Sequence, residues 1–254
     1  MPKVRLDALL MERGLCETRT KAQAMILAGE VLVEDVPVTK AGAQVAENSN
    51  IRLRGRVLPY VGRGGLKLEG ALAAFEVDPA GLVCFDAGAS TGGFTDCLLQ
   101  HGAERVYAVD VGTNQLHWKL RSDSRVISIE QSNLREWESS LIPEKCSLLV
   151  ADVSFISLKL VIPPILTSLR PDAKAILLVK PQFEAGKALV EKGGLIKDPA
   201  VHESVCRDIW DFFSNTLLKP QALSPSPIPG GEGNREFFML LSLDGKPHSF
   251  QKWQ

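Results

Sequence analysis

Phe85-Asp86-Ala87-Gly88-Ala89-Ser90-Thr91-Gly92-Gly93-Phe94 decides the fold of this chain. The stretch continues an apolar run from Leu82 and leads into a helical pattern, TDCLLQHG, at 95–102. A strand that closes on an acid and turns through glycines into a helix lets backbone approach a ligand and offers unpaired N–H groups at the helix start. The spacing Gly-x-x-x-Gly-Gly departs from the GxGxxG of dinucleotide enzymes and points away from NAD.

Downstream, RVYAVDVG (105–112), RVISIE (125–130), CSLLVADV (146–153) and AKAILLVKP (173–181) read as strands, with helices from about Ser157 and Pro199. Strand alternating with helix predicts a buried parallel sheet of the α/β class. Asp110 ends the second strand, where an acid can accept hydrogen bonds from a ribose. Gly230, Gly231 and Gly233 predict the tight turn of a terminal hairpin, which returns Glu236 to the active edge and adds an antiparallel strand.

Upstream of the glycine turn the pattern changes. Leu6, Leu9, Leu10, Leu15, Ala22, Met25 and Ile26 recur at helical spacing on both sides of Gly14, which predicts helix, turn, helix, with Asp7 in the first turn and Thr18 as N-cap of the second helix. Arg19, Lys21 and Gln23 fall at exposed positions of that second helix. VLVEDVPVTK (31–40) alternates around a short turn containing Pro37, and IRLRGRVL (51–58) sets Arg52, Arg54 and Arg56 on one strand face. Arg5 and Arg63 extend this cationic set. A linker is expected at 60–65, dividing residues 1–59 from 66–254.

The formal charge of -1 over 254 residues gives a polyanion no general attraction, so any nucleic-acid contact must be local. The five cysteines form no CxxC pair, which predicts free thiols and no metal site. MPKVRLDALLMERG (1–14) carries charges every few residues instead of a secretory core, and no apolar run approaches the roughly twenty residues of a membrane span. A cytoplasmic protein without membrane contact is expected.

RLDALLMERGLCETRTKAQAMILAGEVLVEDVPVTKAG (5–42) resembles the S4 RNA-binding domain in its RLDxLL opening, Thr18-Arg19, Ala22, Ile26, Gly29 and valine ladder. It departs from that domain at Glu34-Asp35-Val36, where asparagine and glycine are usual, which sets two carboxylates beside the RNA face. The glycine turn, Asp110 and the later residues resemble the FtsJ-like ribose methyltransferases, most closely the TlyA family, also named haemolysin A. The resemblance implies a Rossmann-like methyltransferase sheet behind a small α+β S4-type domain, S-adenosyl-L-methionine as cofactor, and ribosomal RNA or ribosomal subunits as partner. It further implies that Asp86, Gly88, Ser90, Thr91, Gly92, Gly93 and Phe94 hold the methionine part of the cofactor, with Asp110 at the ribose and Asn133 near the adenine.

A ribose 2′-hydroxyl needs alignment and a group that accepts its proton. Asp152 and Lys180 each follow an apolar strand, Lys67 precedes the first strand and Glu236 begins the last. A lysine between AILLV and Pro181 does not fit a solvated face. The four match the lysine, aspartate, lysine, glutamate tetrad of the FtsJ-like family, which implies 2′-O-methylation, with a cytidine in 16S or 23S rRNA as target. Lys180 is expected to take the proton, Asp152 to orient it, and Lys67 and Glu236 to position the target. Lys187, Lys192 and Lys197 lie in the long loop 181–199 and suit phosphate steering as well as plain solvation. Base methylation is disfavoured because ADVSF stands where an Asn/Asp-Pro-Pro-aromatic string would. An assembly factor with a vestigial site would lack tetrad residues. A membrane-active haemolysin would need a spanning or long amphipathic basic helix.

Overall fold

A computed structural model describes residues 3–53, 58–191, 193–230, 233–246 and 248–253. The chain forms two compact units, residues 1–58 and 59–254.

In the first unit, β1 (Lys3–Arg5) runs into α1 (Leu6–Glu12), and α2 (Arg19–Leu27) follows a turn. Four short strands complete it: β2 (Val31–Val33), β3 (Val36–Pro37), β4 (Gln44–Ala46) and β5 (Ile51–Leu53). They pair as β1-β4 and as β3-β2-β5, all antiparallel. Both helices are shorter than the roughly 12 residues at which an isolated helix holds in water, so packing sustains them. Leu6, Leu9 and Leu10 of α1 meet Ala22 and Ile26 of α2 over Val31 and Val45. Thr18 caps α2, its hydroxyl accepting from the Lys21 N–H at 3.2 Å.

The turn between β2 and β3 is Glu34-Asp35, both left-handed at φ 51° and 63°, and Pro37 lies in β3 instead of in the turn. Two positive φ values make this a mirror-type hairpin turn, the kind that asparagine and glycine fit best. Asp35→Gly is expected to stabilise the first unit by about 0.5–1 kcal/mol, because the left-handed cost it removes exceeds a weak exposed ion pair with Arg52. The urea midpoint measures it.

The second unit is one seven-stranded sheet. Its strands are β6 (Val83–Ala87), β7 (Arg105–Val109), β8 (Val126–Ile129), β9 (Cys146–Ala151), β10 (Leu169–Val179), β11 (Lys219–Pro225) and β12 (Phe237–Ser242). The order is β11-β12-β10-β9-β6-β7-β8, with β12 alone antiparallel to its neighbours. The helices are α3 (Gly64–Ala74), α4 (Gly93–Gln100), α5 (Trp118–Arg121), α6 (Leu158–Ile165), α7 (Pro181–Glu184) and α8 (Pro199–Ser214). Alternate strand residues feed two separate cores: Phe85, Tyr107 and Leu149 pack on one face, Cys84, Val106 and Leu148 on the other. Burial on both faces is why these strands read as unbroken apolar runs.

Three expectations change. Residues 60–65, read as a linker, belong to the second unit: Tyr60 is buried, Val61 N–H donates to Asp96 at 2.8 Å, and α3 already begins at Gly64. The terminal hairpin is longer than a tight turn alone: residues 226–236 separate β11 from β12, and the glycine turn lies at their tip, where Gly233 N–H donates to the Gly230 carbonyl at 3.3 Å and Gly230 N–H to the Asn234 carbonyl at 2.9 Å; Gly231 lies outside the described residues. The first arm of that hairpin, β11, was not placed by residue, because Pro220 and Pro225 mask a strand that only an edge position tolerates. All five cysteines are free. Among the described residues no helix is long and apolar enough to cross a membrane.

Candidate active site

β6 is flanked by β7 and β9, so the chain's course reverses beside it, and an open sheet binds ligands outside the carboxyl ends at such a point. Gly88 N–H donates to the Val109 carbonyl at 2.9 Å and Asp152 N–H to the Ala87 carbonyl at 3.0 Å, which ties the ends of β6, β7 and β9 together. A Cβ on Gly88 would stand 2.8 Å from the Asp152 carbonyl oxygen. Gly92, the N-cap of α4, has φ 96°, and a Cβ there would stand 2.2 Å from Leu120. Only glycine fits either place without displacing its neighbours, and the result is a bare backbone cradle at a helix start.

Asp86 is fully buried beneath the cradle and accepts from the Thr95 hydroxyl at 2.6 Å, while its Oδ1 has no partner among the described residues. Burial pushes its pKa up to about 7; the Thr95 hydrogen bond opposes this and the Asp152 charge adds to it. The folded pKa therefore exceeds the unfolded one, so the group's contribution to stability is complete below about pH 4 and disappears as pH rises through about 7. Asp86→Asn should remove that loss: between pH 4 and 8 the melting temperature of the cofactor-free variant falls less than that of wild type.

Asp110 accepts from Ser90 N–H at 2.8 Å and Gly112 N–H at 2.7 Å, which fixes the carboxylate at the end of β7. Ser90 is held in the left-handed region at φ 47°. Asn133 caps a short 3-10 turn, its Oδ1 accepting from Arg135 N–H at 3.1 Å. Gly88, Ser90, Asp110, Asn133, Asp152 and Phe155 line one cavity of about 570 Å³, within the roughly 300–1,000 Å³ of small-molecule sites. A second cavity, lined by Gly64, Thr91, Gly93, Phe94 and Lys180, shares Gly88, Ser90, Asp152 and Ser154 with the first. The cradle thus opens continuously toward Lys180. A buried carboxylate with an unpartnered oxygen, a glycine-lined bend and an acid at the next strand end together suit an adenosyl cofactor with an amino-acid tail.

The four expected catalytic residues form two ion pairs, Lys67 with Glu236 buried and Lys180 with Asp152 half-buried. Lys180 Nζ lies 2.5 Å from Asp152 and donates to the Ser154 hydroxyl at 2.8 Å. Lys67 Nζ lies 2.6 Å from Glu236. Val179 pairs with Phe237 across β10 and β12, so Lys180 and Glu236 are the next opposed positions of that antiparallel ladder. Gly64, one turn before Lys67 on α3, sits beside Asp152: its Cβ would be 3.8 Å from Oδ2. Gly230 also serves the pair, because a Cβ there would meet Glu236 Oε1 at 2.0 Å.

Phe155 was not anticipated. It is 89% exposed, left-handed at φ 64°, and packs on Phe183 at 4.8 Å between ring centroids. The Phe183 ring lies 5.8 Å from Lys180 Nζ. A phenylalanine four residues past a strand ordinarily reads as core; the only sequence signal was its place directly after Ser154.

In the first unit, Arg5 and Arg19 both bond Asp7, Lys21 lies 3.8 Å from Glu17, and Arg52 bonds Asp35. The cationic face is therefore partly neutralised by its own carboxylates. Arg54, Arg56 and Lys192 lie outside the described residues. Arg63 is exposed in the second unit and donates weakly to the Pro229 carbonyl at 3.4 Å. Lys197 pairs with Glu191 at 3.0 Å, which favours a solvated loop there.

Residues 60–243 match the FtsJ-like methyltransferase family and residues 4–51 the S4 domain. The chain belongs to the FtsJ-like methyltransferase family. This FtsJ-like methyltransferase is 40% identical over 240 residues to the 16S/23S rRNA (cytidine-2'-O)-methyltransferase TlyA of Mycobacterium tuberculosis (strain ATCC 25618 / H37Rv), covering 94% of this chain and 90% of that protein. It is 42% identical over 235 residues to a protein named Hemolysin A from Brachyspira hyodysenteriae, with 92% and 98% covered. A solved structure of a hemolysin-named protein from Streptococcus thermophilus superposes with a TM-score of 0.76 at 43% identity, covering 97% of this chain and 90% of that one.

Proposed function

We propose that this FtsJ-like methyltransferase transfers a methyl group from S-adenosyl-L-methionine to the 2′-hydroxyl of a cytidine in 16S or 23S ribosomal RNA. The observation that carries this reading is the two ion pairs, one buried and one half-buried, set side by side where β10 and β12 end, next to the glycine cradle. Bound S-adenosylmethionine supplies a methyl already activated on a sulfonium. The chain's task is then to align an alcohol and take its proton.

Gly88, Ser90, Thr91, Gly92, Gly93 and Phe94 would hold the methionine tail over Asp86, Asp110 the ribose, and Asn133 the adenine. Lys180 accepts the 2′-hydroxyl proton at Nζ, with Asp152 and Ser154 fixing its direction. Lys67 and Glu236 hold each other at the ladder end and position the ribose. Phe155 offers an exposed face on which the target base stacks once it is drawn out of the RNA. Base–aromatic stacking contributes about 1–3 kcal/mol, so Phe155→Ala should raise the KM for RNA at least about fivefold and leave cofactor affinity unchanged, measured by steady-state kinetics and calorimetry. The S4 domain binds the RNA, which sets the site of action in the cytoplasm with the ribosome.

The test is transfer of labelled methyl to ribosomal subunits that lack the modification, compared with free rRNA, followed by nucleoside mass spectrometry. 2′-O-methylcytidine is the expected product, from unpaired or splayed nucleotides. Label in a base, or no transfer to any RNA, contradicts the proposal, and preference for duplex RNA overturns the splayed-nucleotide step.

A further inference from the structure

We propose that Asp7 is a positioning residue that locks Arg5 and Arg19 into a two-arginine seat for one RNA backbone phosphate. The inference rests on the reading that the first unit binds RNA, and it assigns that binding a definite geometry.

Asp7 is fully buried in the first turn of α1, flanked by the core residues Leu6, Leu9 and Leu10. A buried carboxylate is costly unless its oxygens are bonded. Here they are saturated: Oδ1 accepts from Arg5 Nε at 2.9 Å, and Oδ2 accepts from Arg5 Nη2 at 2.8 Å, Arg19 Nε at 3.0 Å and Gln23 Nε2 at 2.9 Å. An ionised carboxylate accepts about four hydrogen bonds, so Asp7 has no capacity left for a ligand. The Arg5 hydrogen bonds hold its pKa well below the usual carboxylate range against the opposing effect of burial, with Gln23 and Arg19 adding to the lowering.

The consequence lies with the arginines. Arg5 and Arg19 keep side chains that are 43% and 56% exposed. Arg5 Nη2 and Arg19 Nε share one acceptor oxygen and cannot be more than about 6 Å apart. Two guanidinium groups at that spacing repel in water; one buried carboxylate holds them there and leaves the cluster with one uncompensated positive charge. Arg5 Nη1 and both Nη atoms of Arg19 are not used by Asp7. Those donors suit the oxygens of one phosphate, which planar forks grip with fixed direction and a lysine ammonium does not.

The sign of the expected effect separates this from plain electrostatics. Asp7→Asn adds one positive charge to an RNA-binding face, and charge alone would tighten binding. If Asp7 positions the arginines, the substitution weakens the affinity of the full chain for in vitro transcribed rRNA about 10-fold. It also lowers the dependence of log K on log salt by about one ion. The loss should not add to that of Arg5→Gln with Arg19→Gln, because both act through one phosphate. Thermal unfolding and S-adenosylmethionine binding report whether each variant is folded. If Asp7→Asn unfolds the first unit, Arg5→Lys with Arg19→Lys carries the test: charge is kept, the forks are lost, and binding should fall by a similar factor. Unchanged or tighter binding by folded variants overturns the seat while leaving the RNA-binding role intact; a wild-type chain that binds no rRNA overturns both.

Discussion

Lys180→Ala should lower methyl transfer to RNA by about 10³-fold or more under single-turnover conditions, with S-adenosylmethionine affinity little changed. The side chain closes the cavity that runs from the glycine cradle, and its Nζ is held by Asp152 and Ser154. Truncation removes the proton acceptor and leaves Asp152 without its buried partner, while the backbone cradle, Asp110 and Asn133 remain. Lys180→Arg sharpens the test. An arginine keeps the charge and can still pair with Asp152, yet it stays protonated in proteins and accepts no proton. Equal loss in the two variants indicates proton transfer; recovery in the arginine variant indicates that Lys180 acts only as a positive charge. A rate that stays flat between about pH 6 and 9 with chemistry limiting would also speak against a lysine base.

Glu236→Gln should lower stability and activity together, by about 3–5 kcal/mol in unfolding free energy if Lys67 stays charged. Lys67 and Glu236 are both buried and bonded at 2.6 Å, so neutralising one leaves the other as an unpaired charge inside the protein. Gly230, whose lack of a Cβ makes room for Glu236, confines the carboxylate to this place. Lys67→Met combined with Glu236→Leu removes both charges and should recover much of the stability, since apolar groups of similar size replace a buried pair at little cost. It should not recover transfer. Chemical denaturation and methyl transfer on the same samples separate the two effects; a double variant that is both stable and active would remove the pair from catalysis.

Strand ends made most of the candidate site legible in the sequence. Asp86, Asp110, Asp152 and Lys180 each fall at or just past an apolar run, and the carboxyl edge of a parallel sheet collects such residues at one place. Lys67 has no such signal, and Glu236 only the glycine turn that returns it to the active edge. Their pairing depends on α3 and on β12 being inserted between β10 and β11, so family resemblance carried the pairing. Phe155 was missed because nothing in the residue pattern announces the left-handed backbone that turns it outward. The arginines were legible as cations but not as a shared set on Asp7, because that needs α1 and α2 packed together. The expected linker at 60–65 failed for a related reason: glycines that read as a break instead allow close packing, and a Cβ on Gly65 would stand 2.2 Å from Tyr60.

The central claim concerns one oxygen atom. A methyl on a 2′-hydroxyl blocks the attack that cleaves RNA in alkali, whereas a methyl on a base does not. The most direct measurement is therefore alkaline hydrolysis of rRNA after incubation with S-adenosylmethionine and either wild-type or Lys180→Ala chain, with the labelled methyl followed through digestion. Label retained in an alkali-resistant dinucleotide with wild type, and absent with the variant, is the predicted result; label released in ordinary mononucleotides would contradict ribose methylation at this site.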